Sequence, residues 1–487
     1  MAIRDGRIAW VAWRDNPPPW RYTTSQTINC HGKTLLPGFN DAHIHLLALA
    51  SSLIEVDCTA KVVASIDDIK SVLSTRAKET PAGQWVRGHG YNEYHLSEQT
   101  HPSKFDLDAA SIQHPLRLDH FTKHACILNS LAMLIIGINK DTPDPPGGII
   151  ERDSDGQPTG LLLEMNDYVS ARMGITSEIS RSHALDKAND MLISMGITSV
   201  QDATHTNDLT RWSIFKQAKQ ARRLLPRLTF MPAISQLGTF LKEGLGPETS
   251  INDDINIGPA KVMLTLTGGS LHPSIGELKD MIHTAANQGF PVAIHAIEAE
   301  CLQAVLQAIE DKPIKGLGPQ IRIEHCSECP PSMLQRLIKA NVTVVTQPAF
   351  IYYSGQRYLN QVSKSRLPWL YSTGSIYRTG IPIAFSSDAP VSPLNPLIGL
   401  YAAITRQSEA GPLVNQKEAM APQDAIRAYT LGGASASSQQ HLRGSIELGK
   451  QADLIMLSID PTSHDTSRLL EGRVELTVIG GRIVYQG

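Results

Sequence analysis

Short apolar runs alternate with helix-patterned segments over most of the chain. The runs are KTLLPGFNDAHIHL, which carries His43 and His45, ITSVQDA from Ile197 to Ala203, and PRLTFMPAI from Pro226 to Ile234. AKVMLTLT around Lys261, FPVAIHAI around His295, QIRIEHC around His325, VTVVTQP around Val345 and IPIAFSSDAP around Asp388 follow. Between them SHALDKANDMLISMG, PSIGELKDMIHTAANQG, AECLQAVLQAIEDK and PPSMLQRLIKAN show helical spacing. Several of these begin with Pro or Ser and end with Gly or Asn, as helix start and stop chemistry requires. Near-continuous apolar strands alternating with helices predict a parallel sheet covered on both faces. Eight such units predict an α/β fold built on a (β/α)8 barrel. An open doubly wound sheet is the competing arrangement, but no Gly-rich turn follows the first strand.

Two stretches break the alternation. Residues 81 to about 180 are rich in Pro, Gly, His and Asp, including DTPDPPGGIIERDSDGQPTG, and are expected to form an insertion or lid over one mouth of the barrel. The two ends, 1–36 and 438–487, carry β-patterned runs such as ADLIMLSI, VELTVIGG and RIVYQG, and are expected to pair in a small β domain. The barrel would then occupy 37–437.

The 487 residues are 41% hydrophobic and 19% charged, an ordinary globular composition with room for a large core. A formal net charge of −3 argues against a nucleic-acid partner. Six cysteines do not make a disulfide scaffold, so a reduced cytoplasmic setting is expected. No run reaches the roughly 18 apolar residues a membrane span needs, and the first residues lack the apolar core of a secretory signal. A small-molecule substrate and a homodimer are the partners expected.

Five side chains with metal-ligand chemistry stand at the ends of the predicted strands. His43 and His45 are two apart, so in an extended strand both rings face one side and can reach one ion. His295, His325 and Asp388 end three further strands. In a barrel these ends converge on a single site. Imidazoles with a carboxylate suit zinc or a similar divalent ion. Lys261 cannot bind a cation as an ammonium. As a carbamate formed with carbon dioxide it would offer two oxygens and could bridge two ions.

PGFNDAHIHL, the strand-end histidines, SSDAP and the tail GSIELGKQADLIMLS together resemble the amidohydrolase superfamily, and within it the YtcJ-like, or amidohydrolase 3, family. HPLRLDHFTKHACILNS, PDPPGGIIERDSDGQPTG, SSDAPVSPLNPLIGLYAAITR and QDAIRAYTLGGA extend the resemblance over nearly the whole chain. It implies a metal-dependent hydrolase, with a barrel and a β-sandwich made from both termini. His43, His45, His295, His325 and Asp388 match the family's metal-binding positions, and Lys261 matches the lysine that is carboxylated in binuclear members. The chain also departs from the family. KVMLTLTGGS lacks the DG motif usual after that lysine, and HAIEAE replaces HAIGD. Glu298, three residues after His295, gives an HxxE spacing similar to that of the mononuclear deaminases. The family's strand and turn before RDGRI are missing, which points to a truncated or alternative start.

The expected reaction is hydrolysis of a C–N, amide-like bond in a small molecule by hydroxide formed from metal-activated water. Asp388 would take the water proton and return it to the leaving nitrogen. His295 and His325 would hold a second ion, or one of them would assist the carbonyl oxygen. Tyr91, Asn92, Glu93, His124 and Asn129 in the lid, and Tyr352, Tyr353 and Arg357 after the seventh strand, are candidates for substrate contact. Two other readings stand beside this one: a mononuclear deaminase of a heterocycle using Glu298, and a catalytically silent relative used for binding. Cys326 and Cys329 form a single CxxC, expected to be free thiols.

Overall fold

A computed structural model describes residues 1–12, 26–173, 178–267, 269–311 and 321–487. Part of the N-terminal β segment (13–25), residues 174–177 of the predicted insertion, Gly268 of KVMLTLTGGS and Lys312 at the end of AECLQAVLQAIEDK lie outside the described residues. The chain forms two compact units, one of residues 1–46 and 188–487, the other of residues 47–187.

All eight predicted strands are present in the first unit. They are β1 (Phe39–Ile44), β2 (Ile197–Asp202), β3 (Arg227–Phe230), β4 (Ala260–Met263), β5 (Val292–Ala296), β6 (Ile321–His325), β7 (Thr343–Thr346) and β8 (Ile383–Phe385). Every residue of β1, β2, β5, β6, β7 and β8 is buried, as in a parallel sheet covered on both faces. β1, β2 and β3 pair in parallel in one sheet, and β4 to β8 pair in parallel in a second. The Lys261 N–H donates to the Pro232 carbonyl at 2.8 Å beside the β3–β4 step. The Asp388 N–H donates to the His43 carbonyl at 2.9 Å beside β8 and β1.

Helices separate the strands as the pattern predicts. α1 (Ile275–Asn287) starts at Ser274, whose hydroxyl accepts from the Glu277 N–H while the Glu277 carboxylate accepts from the Ser274 N–H. This reciprocal cap satisfies two of the donors that a helix start leaves open. α2 (Ala299–Asp311) follows β5. α3 (Pro331–Ala340) follows β6, with proline in its first turn and Asn341 in the left-handed region at its end. α4 (Ala349–Gln361) follows β7.

The two ends of the chain meet in one antiparallel sheet. Thr34–Pro37 pairs with Leu454–Leu457, which pairs with Val474–Ile479, which pairs with Arg482–Gln486. Ile8 from a two-stranded hairpin packs with Leu454, Met456, Leu476 and Val478.

The second unit is a six-stranded mixed sheet, in the order 56–57, 86–91, 116–120, 125–128, 158–163, 149–152. It begins well before residue 81, where the sequence pattern placed the insertion. The helix Ile66–Glu79 buries Ile69, Leu73 and Ala77 against Val86, Leu116 and Leu118 of this sheet and so belongs to it. The chain is therefore an α/β protein with mixed sheets. No helix among the described residues is long and apolar enough to cross a membrane.

Candidate metal centre

His43 lies in β1, His45 directly follows its end, and the bend after β8 carries Asp388. Ligand atoms of these three residues all lie within 4.8 Å of one another. His45 Nε2 is 3.1 Å and His43 Nε2 3.5 Å from Asp388 Oδ1. His43 Nε2 and Asp388 Oδ1 are nonetheless buried without a hydrogen-bond partner. Unpaired buried polar atoms are costly, so a pair of them facing each other marks a place where a ligand belongs. A cation meets the needs of both, and the set His, His, Asp fits zinc or a similar divalent ion.

The other predicted ligands join this group. The His325 ring centroid lies 4.7 Å from that of His43 and 4.4 Å from that of His295. His325 Nδ1 is 4.0 Å from Asp388 Oδ2. Lys261 is buried, and its Nζ has no hydrogen-bond partner. Burial pushes the Lys261 ammonium down to about 8, against the pull of Glu324 and Asp388. Burial also holds His43 and His325 below the usual imidazole range, helped in both by the Lys261 charge. For Asp388 burial acts upward, but contact with His45 and the fields of His325 and His43 outweigh it and keep the carboxyl well below its ordinary value. The neutral imidazoles and ionised carboxylate are the forms that bind metal.

Backbone and hydrogen bonds hold these groups in place. His325, Cys326 and Asp388 adopt φ of 69°, 47° and 59°, a left-handed conformation uncommon for residues with a side chain. Such strain costs of order 1 kcal/mol or more per residue and gathers at functional sites. Asp41 Oδ1 accepts from the Ser387 N–H at 3.0 Å and from the His43 N–H at 3.3 Å, tying the two ligand-bearing ends together. Burial raises the Asp41 carboxyl to about 6 in spite of these bonds. His45 Nδ1 lies 3.2 Å from the Thr204 hydroxyl, and His325 Nδ1 lies 3.0 Å from Gln347 Oε1. His43 Nδ1 lies 2.5 Å from Glu324 Oε2, and Arg322 grips the same carboxylate. Asp41, Arg322, Glu324 and Gln347 were not among the residues predicted for the site. The one signal for the pair was Arg322 and Glu324 alternating with isoleucine in QIRIEHC, two charges on one face of a buried strand.

The remaining candidates have other surroundings. The Glu298 carboxylate accepts from Cys301 Sγ at 3.3 Å. Tyr352 and Arg357 lie on α4, where Tyr352 packs edge-on to Tyr353 and Tyr401, and Arg357 stands 5.3 Å from the Tyr358 ring centroid. In the second unit the buried Tyr91 hydroxyl lies 2.9 Å from His101 Nδ1. Asn92 caps a short turn by accepting from the Tyr94 N–H, and Asn129 caps the helix Ser130–Ile136. Glu93 Oε2 lies 2.8 Å from His120 Nε2, and His124 Nδ1 lies 2.9 Å from Glu164 Oε1. Cys326 and Cys329 are buried free thiols. A hydrogen bond with Cys329, together with burial, pushes the Cys326 thiol well above its ordinary value.

The α/β core with its parallel strands thus brings two histidines and an aspartate together in a candidate metal site. Comparison with known proteins gives the family. The Amidohydrolase family profile matches residues 26–485, and the chain belongs to that family. It is 28% identical to the YtcJ protein of Bacillus subtilis (strain 168), over 95% of this chain and 91% of that one. It is also 28% identical to the N-substituted formamide deformylase of Arthrobacter pascens, over 100% of this chain and 94% of that one. Among solved structures, an uncharacterized metal-dependent hydrolase from Pyrococcus horikoshii OT3 superposes with a TM-score of 0.73. The overlap takes in 90% of this chain and 88% of that one at 23% identity, a likeness of fold.

Proposed function

We propose that this protein is a metal-dependent amidohydrolase that cleaves a C–N, amide-like bond of a small molecule. The observation that carries the reading is the pair of unpartnered buried atoms, His43 Nε2 and Asp388 Oδ1, facing each other beside His45. His43, His45 and Asp388 would hold one divalent ion, with zinc favoured by the nitrogen-rich set. His295, His325 and Lys261 would hold a second. A bound ion supplies an acidified water and polarises the scissile carbonyl.

The chain's own groups do the rest. Asp388 takes a proton from the attacking water on a carboxylate oxygen and returns it to the leaving nitrogen, so the amine departs neutral. His325 is fixed through Nδ1 by Gln347, which leaves Nε2 either to hold the second ion or, in a one-ion site, to assist the carbonyl oxygen. Lys261, with its pKa down at about 8, is neutral for a useful fraction of the time near neutral pH, and the neutral amine is the form that takes up carbon dioxide. Tyr352 and Arg357 on α4 are the proposed substrate contacts within the first unit. The two parallel sheets are read as the halves of one (β/α)8 barrel, and the terminal sheet with the Ala2–Trp10 hairpin as the small sandwich. Six free cysteines suit a reducing, cytoplasmic setting.

C–N cleavage is favoured by the formamide-deformylase relative. The test is a panel of N-substituted formamides, simple amides, esters and aminated heterocycles. Release of an amine and an acid from an amide or formamide is expected. Turnover confined to esters, or ammonia released from a heterocycle, would overturn the bond assignment.

A further inference from the structure

We propose that Glu324, clamped by Arg322, is a positioning residue that fixes His43 in its Nδ1–H form and so presents Nε2 to the metal. The proposal rests on the metal-binding reading above and deepens it.

The clamp is complete. Arg322 Nε donates to Glu324 Oε1 at 2.9 Å and Nη2 to Glu324 Oε2 at 3.2 Å. Nη2 also donates to the Ala42 carbonyl at 2.9 Å, and Nη1 donates to the Ala436 carbonyl at 3.0 Å and to Gln201 Oε1. These contacts use all five guanidinium N–H groups. Gln201 is itself held by Asn40 Oδ1 at 3.1 Å and the Gly433 carbonyl at 2.7 Å. Arg322, Glu324 and His43 are 3%, 0% and 1% exposed, so water does not compete for any of these bonds.

Both Glu324 oxygens accept from Arg322, and a carboxylate offers acceptors only. The 2.5 Å contact with His43 Nδ1 therefore makes that nitrogen the donor. A neutral ring with its proton on Nδ1 carries its lone pair on Nε2, the atom that faces Asp388 without a partner. The other two anchors are uncharged. Thr204 hydroxyl serves His45 and can donate or accept, and the Gln347 amide serves His325. His43 alone of these three rings has a charged anchor, which raises the basicity of the ligand nitrogen. A buried ion pair is at best neutral for stability beside apolar side chains of the same size. The ring that the pair orients accounts for its presence better than stability does.

Nitrogen-15 spectra of histidine-labelled, metal-free wild-type protein read the tautomer directly, with the His43 signals identified by their loss in His43→Gln. A protonated Nδ1 and a bare Nε2 are expected, and an Nε2–H form overturns the proposal. Zinc affinity, measured by competition with a chromophoric chelator, should fall about 10- to 100-fold in Glu324→Gln. Unchanged affinity overturns it. Should Glu324→Gln not fold, because Arg322 is left unpaired, the double variant Arg322→Gln/Glu324→Gln removes both charges. It should show the same loss and a mixed tautomer, and wild-type affinity with an unmixed Nδ1–H form overturns the proposal. If wild-type protein takes up no zinc, the function proposed above falls, while the tautomer in metal-free protein still decides for or against Glu324.

Discussion

The Asp388 N–H donates to the His43 carbonyl at 2.9 Å, and the same two residues bring Oδ1 and Nε2 to 3.5 Å. One backbone bond between β1 and the bend after β8 thus sets the spacing of the ring and the carboxylate that face each other. Asp388→Asn keeps that backbone bond and the side-chain shape but removes the charge and the proton acceptor. Turnover should fall about 10²- to 10⁴-fold, while the thermal midpoint stays close to that of the wild type. Near-normal turnover would remove Asp388 from the proton-transfer step.

His43→Ala removes one of the proposed ligand nitrogens and leaves Glu324 paired with Arg322. Bound metal per chain, measured by plasma mass spectrometry after purification in metal-supplemented medium, should drop below that of the wild type. Wild-type metal content in this variant would take His43 out of the ligand set.

The second unit depends on a buried charge cluster of its own. Asp119 Oδ1 accepts from Arg117 Nε at 2.6 Å, with Lys123 at 3.3 Å and Arg87 at 3.7 Å from its other oxygen. Burial acts to raise this carboxyl, but the three cations outweigh it and hold it well below its usual range. Asp119→Asn leaves them without their shared anion, which should destabilise the unit by about 3–5 kcal/mol. Amide hydrogen exchange in 86–91 and 116–128 should speed up accordingly. Unchanged protection there would show that the cluster contributes little.

Lys219 carries a pH signature that can be isolated. It is buried, and its Nζ lies 2.9 Å from Asp254 and from the Pro226 carbonyl. Burial nonetheless pushes it from 10.5 to about 8. Below about pH 8 both folded and unfolded chains hold the proton, and the folded state bears the cost of the buried ammonium. Between about pH 8 and 10.5 the folded state releases the proton first, so stability rises with pH. Urea melts of wild type and Lys219→Met at pH 7.5 and 9.5 should therefore shift by about 1–2 kcal/mol in favour of the wild type at the higher pH. A difference independent of pH would contradict the depressed value.

Much of this fold is legible in the sequence because burial on both faces leaves an apolar run with little else in it. VAIHA reads as a strand for that reason, with His295 next to its end, while IRIEH reads as one from the alternation of Ile321 and Ile323 with charged residues, with His325 at its end. The His43–His45 spacing is legible because strand geometry places alternate residues on one side. Glu324 and Arg322 were harder to read. Their partners, His43, Ala42, Gln201 and Ala436, lie more than a hundred residues away, and strand order alone brings them together. Gln347, just after β7, and Asp41, in β1, were missed because a buried amide or carboxyl does not announce its partner. The start of the second unit was missed because Val56–Asp57 is a two-residue strand, too short to show any alternation.

The central claim is that His43, His45 and Asp388 hold a divalent ion on which hydrolysis depends. The most direct measurement is metal content and amide turnover on one preparation, before chelation, after it, and after zinc is restored. The account predicts one or two ions per chain at the start, turnover that falls with the metal, and recovery on addition of zinc. Fully chelated protein, shown to hold no metal and still turning over at the starting rate, would contradict it.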